Sequence, residues 1–201
     1  MRRAITVLNL GFLIVFSAGC LFGPRINLER LGIIGFVGFE SRAKGNISDY
    51  AGQVFLENLL RSQPRARIKE LGPSNIVLGE FGTYRLTPEA LEALGKRYNV
   101  DAILIGSLDF SRIRPRVDIA SIVTGSINAS VDVDVTMTAK LLDVHDGTTF
   151  WGDSARVRMD VANASVFPGG EVVFDAQDPT RAYGELVEEL VRRTTRDFRR
   201  F

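Results

Sequence analysis

Asp101-Ala102-Ile103-Leu104-Ile105-Gly106-Ser107-Leu108 is an apolar run that follows directly on a segment with helix signals. The run reads as a buried strand, and its neighbours decide how it pairs. The segment before it opens with Thr87-Pro88-Glu89. Threonine caps a helix, proline fits the first helical position, and an early carboxylate complements the helix dipole. The spacing predicts a helix to about Tyr98, with Leu91, Leu94 and Tyr98 on one face. Further upstream, Leu31-Gly32-Ile33-Ile34-Gly35-Phe36-Val37-Gly38-Phe39 is a second nearly continuous apolar run. A helix between two buried strands implies a parallel crossover, right-handed in nearly all cases.

Other elements extend outward from this unit. Ile47 to Gln63 carries Ala51, Val54, Phe55, Leu56, Leu59 and Leu60 at helical spacing. Asn46 or Ser48 can cap it and Pro64 stops it. Ala66 to Leu71 reads as a short strand and Gly72-Pro73-Ser74-Asn75 as a turn. Beyond Leu108 the period changes to two. Arg112 to Ile119 alternates strictly, as does Ile127 to Met137, with Thr124-Gly125 as a bend between them. These are half-buried strands of a long hairpin. Lys140 to Val144 leads into His145-Asp146-Gly147-Thr148 and a return strand from Thr149 to Val157. Asp-Gly between apolar strands signals a turn that needs positive φ. Val161 to Gln177 is irregular. Asp178-Pro179 then starts a final helix with Tyr183, Leu186, Val187, Leu190 and Val191 on one face. Arg192, Arg193, Arg196, Arg199 and Arg200 gather in its last turns, favourable against the negative helix end. The expected fold is α/β, a mixed four- to five-stranded sheet with helices packed on it and a long antiparallel hairpin.

This order of pieces resembles the superfamily that includes the curli secretion channel subunit, the lipoprotein activators of penicillin-binding proteins and the N-terminal domain of TolB. Tyr98-Asn99-Val100-Asp101-Ala102-Ile103-Leu104-Ile105-Gly106-Ser107 is similar to the stretch in which that family's second helix runs into a strand. Ala139-Lys140-Leu141-Leu142-Asp143-Val144-His145-Asp146-Gly147-Thr148-Thr149-Phe150-Trp151 is similar to its hairpin. The resemblance covers most of residues 31–201. It implies a TolB N-terminal-domain-like fold and a non-enzymatic role: binding proteins, assembling in the envelope, or forming a secretion pore.

The chain has one cysteine, Cys20. Before it stand Arg2 and Arg3, an apolar stretch from Ala4 to Phe16, and the small residues Ser17-Ala18-Gly19. That is the layout of a secretory signal peptide, and the apolar part falls short of the ~20 residues of a membrane span. Small residues directly before a lone cysteine resemble the bacterial lipobox, although Ser17 stands where that family usually has Leu, Val or Ile. The resemblance implies lipidation of Cys20 and cleavage before it. The expected organisation is a signal peptide at 1–19, the lipidated cysteine and a tether at 20–30, and one α/β domain at 31–201. Leu21 rather than Asp after the cysteine resembles outer-membrane cargo, with the domain facing the periplasm.

Composition narrows the function. The chain carries 25 Lys+Arg and 24 Asp+Glu, and losing Arg2 and Arg3 leaves 23 and 24, formally −1. Such a balance gives no electrostatic case for nucleic-acid binding. With one histidine and one cysteine, a zinc site of the usual kind is not expected. His145 sits in a turn with no nucleophile motif to serve, and reads as an exposed turn residue. Asp132 and Asp134 lie on one strand face, where a solvated face accounts for them better than a calcium site. Gly32, Gly35 and Gly38 lack phosphate-loop spacing. No catalytic residues, cofactor or metal are expected. Two functions remain. The first is a lipid-anchored periplasmic binding or scaffold protein for envelope assembly or secretion, with envelope proteins as partners and homo-oligomers compatible. The alternative is an oligomeric outer-membrane pore subunit, in which a hairpin at about 112–137 enters the membrane.

Overall fold

The computed structural model describes residues 26–80, 86–117, 129–162, 165–166 and 172–198. Strand β1 (Ile33–Val37) is followed by two-residue strands β2 (Glu40–Ser41) and β3 (Lys44–Gly45) and helix α1 (Ile47–Ser62). Strand β4 (Arg67–Gly72) leads to a short helix α2 (Ser74–Gly79), and α3 (Pro88–Tyr98) precedes the long strand β5 (Ala102–Val117). Then come β6 (Ala129–Asp143), β7 (Thr149–Ala162), β8 (Ser165–Val166), β9 (Val172–Phe174) and α4 (Pro179–Thr194). The main sheet runs β4-β1-β5-β6-β7, with β2 added alongside β5 to make six strands. β1 pairs in parallel with both β4 and β5, so the crossover read from the sequence is present. β5, β6 and β7 form an antiparallel meander. A second, three-stranded sheet joins β3, β9 and β8.

Caps fix the helix starts. Thr87 Oγ1 accepts from the Ala90 amide at 3.3 Å, and an Asp178 carboxylate oxygen accepts from the Arg181 amide at 3.1 Å. Asn46 precedes α1 but its side chain makes no cap. Its amide donates to the Ala176 carbonyl at 3.0 Å and its oxygen accepts from the Tyr183 hydroxyl. The Tyr183 phenol is pushed up to about 12, chiefly by burial and then by the charge of Asp175, so it stays a donor. The segment read as a turn at Gly72-Pro73-Ser74-Asn75 instead runs from Pro73 straight into α2.

The sheet buries both faces at one end and a single face at the other. On one face Ile34, Phe36, Leu104, Val131, Val133, Val135, Met137 and Leu141 pack against α1 and α4. Residues of the opposite parity, Val37, Ile103, Leu142 and Val144, pack under α2 and α3. At its start β1 is latched to β5: the Asp101 carboxylate accepts from the Ile33 amide at 2.7 Å, and the Asp101 amide donates to the Ile33 carbonyl at 2.7 Å. Gly32 makes room, since a Cβ there would stand 2.1 Å from that carboxylate. Gly147, at φ +74°, turns the β6–β7 hairpin as its Asp-Gly signal predicts.

Gln63 ties the two ends of the described chain together. Its Oε1 accepts from the Leu28 amide at 2.7 Å, while its Nε2 donates to the Ile26 carbonyl at 2.7 Å and the Phe198 carbonyl at 3.3 Å. The Trp151 and Phe198 rings meet edge-on at 4.4 Å, and Trp151 Nε1 donates to Asp197 at 3.3 Å. The pair accounts for Trp151 as core.

Candidate functional site

Cys20, the only site residue predicted from the sequence, lies outside the described residues, as do the Thr124-Gly125 bend and Arg199 and Arg200. What the structure offers is the second face of the main sheet beyond α2 and α3, where no helix among the described residues covers it. It has two parts.

The distal part is a charge ladder. β6 alternates between Val131, Val133 and Val135 on the helix side and Asp132 and Asp134 on the open side. Straight across on β5 stand Arg114 and Arg112. From β7, Arg158 grips Asp132 through two bonds at 3.1 and 2.6 Å, and Arg156 grips Asp134 through two at 2.6 and 2.5 Å. Each bridge is diagonal, because the register sets Arg158 opposite Asp134 and Arg156 opposite Thr136. The carboxylate side chains keep only 8 and 9% of their exposure, whereas the arginines keep 55 and 62%. The hydrogen bonds from Arg156 hold the Asp134 carboxyl below its usual range against the opposing effect of burial. The reading of these aspartates as a solvated face is therefore corrected: they are buried and bidentately paired. The signal was the matched spacing of Asp132-Val133-Asp134 and Arg156-Val157-Arg158. His145 is exposed in its turn, as read, with its amide bound to Asp143 at 2.7 Å.

The apolar row of this hairpin is fully used inside the fold. Val131, Val133, Val135 and Met137 have no exposure. They belong to one core with Leu186, Val187 and Leu190 of α4, which Ile113 joins from β5. No helix among the described residues is long and apolar enough to cross a membrane.

The proximal part is a notch. β4 ends at Gly72, whose carbonyl accepts from the Gly38 amide at 2.9 Å, and the chain then turns into α2. β2 continues past that point beside Ser107 and Leu108 of β5, and among the described residues no strand pairs with its other edge. Two cavities open there. One, about 380 Å³, is bounded by Val37, Leu78, Leu86 and Ile105, with Thr138 and Lys140 lining it from β6. The other, about 590 Å³, is polar and lies among Arg42, Ser48, Asp49, Asn75 and Asp109. Glu40, Ser74 and Ser107 line both. Ser74 is nine-tenths buried, and among the described residues its hydroxyl makes no hydrogen bond. Sequence reading missed this cluster because its members converge from four separate segments, none with a motif.

No protein-family profile matches the chain. No curated protein matches it either. Similar solved structures include the PelC dodecamer from Paraburkholderia phytofirmans, at 14% identity over 89% of this chain and 95% of that one, with a TM-score of 0.49. Lipoprotein GNA1162 from Neisseria meningitidis matches at 17% identity over 64% of this chain and 83% of that one, TM-score 0.39. The LpoB C-terminal domain from Salmonella enterica matches at 10% identity over 64% and 84%, TM-score 0.40.

Proposed function

We propose that this chain is a lipid-anchored protein of the bacterial envelope that faces the periplasm from the outer membrane. It binds or scaffolds other envelope proteins and has no enzymatic activity of its own. One observation carries the reading: the sole cysteine follows Ser17-Ala18-Gly19 at the end of a basic and then apolar leader. Acyl chains on Cys20 then hold the domain at a membrane without crossing it. The buried apolar row of β6 supports a scaffold over a pore, because a barrel strand needs such a row for lipid.

The test is metabolic labelling with a palmitate analogue, followed by membrane fractionation. Wild-type protein is expected to label and to sediment with outer membranes, and Cys20→Ser to do neither. Labelling that persists in Cys20→Ser overturns the anchor. Ring-shaped oligomers in detergent that conduct ions in planar bilayers would instead establish the pore.

A further inference from the structure

We propose that the notch beside β2 binds an extended peptide of a partner protein, one that carries an apolar side chain next to a lysine or arginine. The inference rests on reading this chain as an envelope binding protein and names the chemistry of what it binds.

Three features argue for that occupant. The first is backbone. A segment lying in line with β4 beyond Gly72 meets the open edge of β2, whose inner edge alone is paired. Adding a strand to such an edge is a recurrent way to hold a peptide. The second is shape. The cavity of about 380 Å³ is walled by Val37, Leu78 and Ile105, a size and lining suited to an apolar side chain. The third is charge. The polar cavity holds the carboxylates of Glu40, Asp49 and Asp109 against the single guanidinium of Arg42. Among the described residues none of these four side chains is in an ion pair, so the excess of negative charge faces whatever enters. Lys140 lines the apolar cavity, across from Ile105, and does not line the polar one. The Ser74 hydroxyl, which lines both cavities and makes no hydrogen bond among the described residues, is left to bond an incoming backbone.

The test uses the full chain in detergent micelles and a fluorescein-labelled heptapeptide, acetylated and amidated, with leucine and lysine adjacent at its centre and threonine elsewhere. Two companions replace the lysine by glutamate or the leucine by serine. By fluorescence anisotropy the wild-type protein is expected to prefer the lysine peptide over the glutamate peptide by about tenfold, and to lose affinity for the serine peptide. Glu40→Lys is expected to reverse the charge preference with an unchanged melting temperature, since Glu40 is exposed and unpaired among the described residues. Asp109→Lys, a second charge change on another strand, is expected to weaken the same preference. Equal binding of the lysine and glutamate peptides overturns the proposal, as does no binding at about 1 mM, where even weak sites register. So does a preference that Glu40→Lys leaves intact and Arg158→Glu removes, which would move the site to the ladder. None of these outcomes depends on Cys20, so they stand apart from the labelling test.

Discussion

Strand β5 carries polar side chains on the same open face at both of its ends, and the two ends treat them oppositely. At Arg112 and Arg114 it runs beside two aspartates buried under guanidinium groups from β7. At Ser107 and Asp109 it borders Glu40, Asp49 and Ser74, whose side chains make no bond among the described residues. The first arrangement satisfies its charges internally and so fixes register: a slip by one residue would put Asp132 and Asp134 among the valines under α4. The second leaves hydrogen-bonding capacity unspent at a place with room for another chain. The difference separates the part of this face that holds the fold from the part free to recognise something.

The comparison can be broken or sharpened in five ways. The largest effect is expected from truncation before Asp178. It strips Tyr183, Leu186, Val187, Leu190 and Val191 from the ladder's far side, all of them buried. At ~1.5–3 kcal/mol for each fully buried large apolar side chain, the loss rivals a domain's stability. Limited proteolysis should find the product degraded where the whole domain resists. A truncated chain that keeps its protease-resistant sheet would mean the hairpin does not depend on its helix.

Gly106→Val comes next. A Cβ at this point would stand 2.2 Å from the Phe39 ring, which is itself buried against Phe55. Overpacking of this kind costs ~1–3 kcal/mol, read as a lower denaturant midpoint. Gly147→Val should cost less, ~1–2 kcal/mol, from its positive φ alone, because the new Cβ would meet Pro88 at an ordinary 3.4 Å. An unshifted midpoint in Gly147→Val would show that the turn relaxes.

Asp134→Asn tests the ladder. The folded-state carboxyl is held below its usual value, so its contribution is complete above the unfolded carboxylate range of ~4 and is lost as pH falls through the lower folded value. The variant should melt below wild type at neutral pH, and the gap should close on acidification. A gap constant with pH would mean that the charge does not matter. Glu189, held low by hydrogen bonds from Arg192 and Arg193, steepens the acid limb of both proteins alike. Glu40→Gln, on the notch side, is expected to melt with wild type. A loss matching that of Asp134→Asn would erase the distinction between the two ends of β5.

Much of this architecture was legible because local signals coincide with it. Thr87-Pro88 and Asp178-Pro179 mark their helices and Asp146-Gly147 its turn. β5 was harder. Its apolar positions run through Leu104, Leu108 and Phe110 and then shift by one to Ile113, because a bulge lies between Phe110 and Arg112. The extra residue breaks the period of two, so one strand of 16 residues reads as two shorter ones. β8 and β9 fall in the irregular stretch from Val161 to Gln177, because strands of two or three residues show no period. The ladder and the notch depend on register across strands, which no single segment carries.

The clamp at Gln63 sets a mechanical limit on the molecule. It pins Ile26 and Leu28 beside Phe198, and Ile26 stands six residues after Cys20. Six residues span at most about 20 Å even when drawn straight. On the proposed anchoring that reach is shorter than β5 alone, whose 16 residues run about 50 Å. The body rides close to its membrane, and the Gln63 amide ties the described residues nearest the anchor to those at the far end of the described chain.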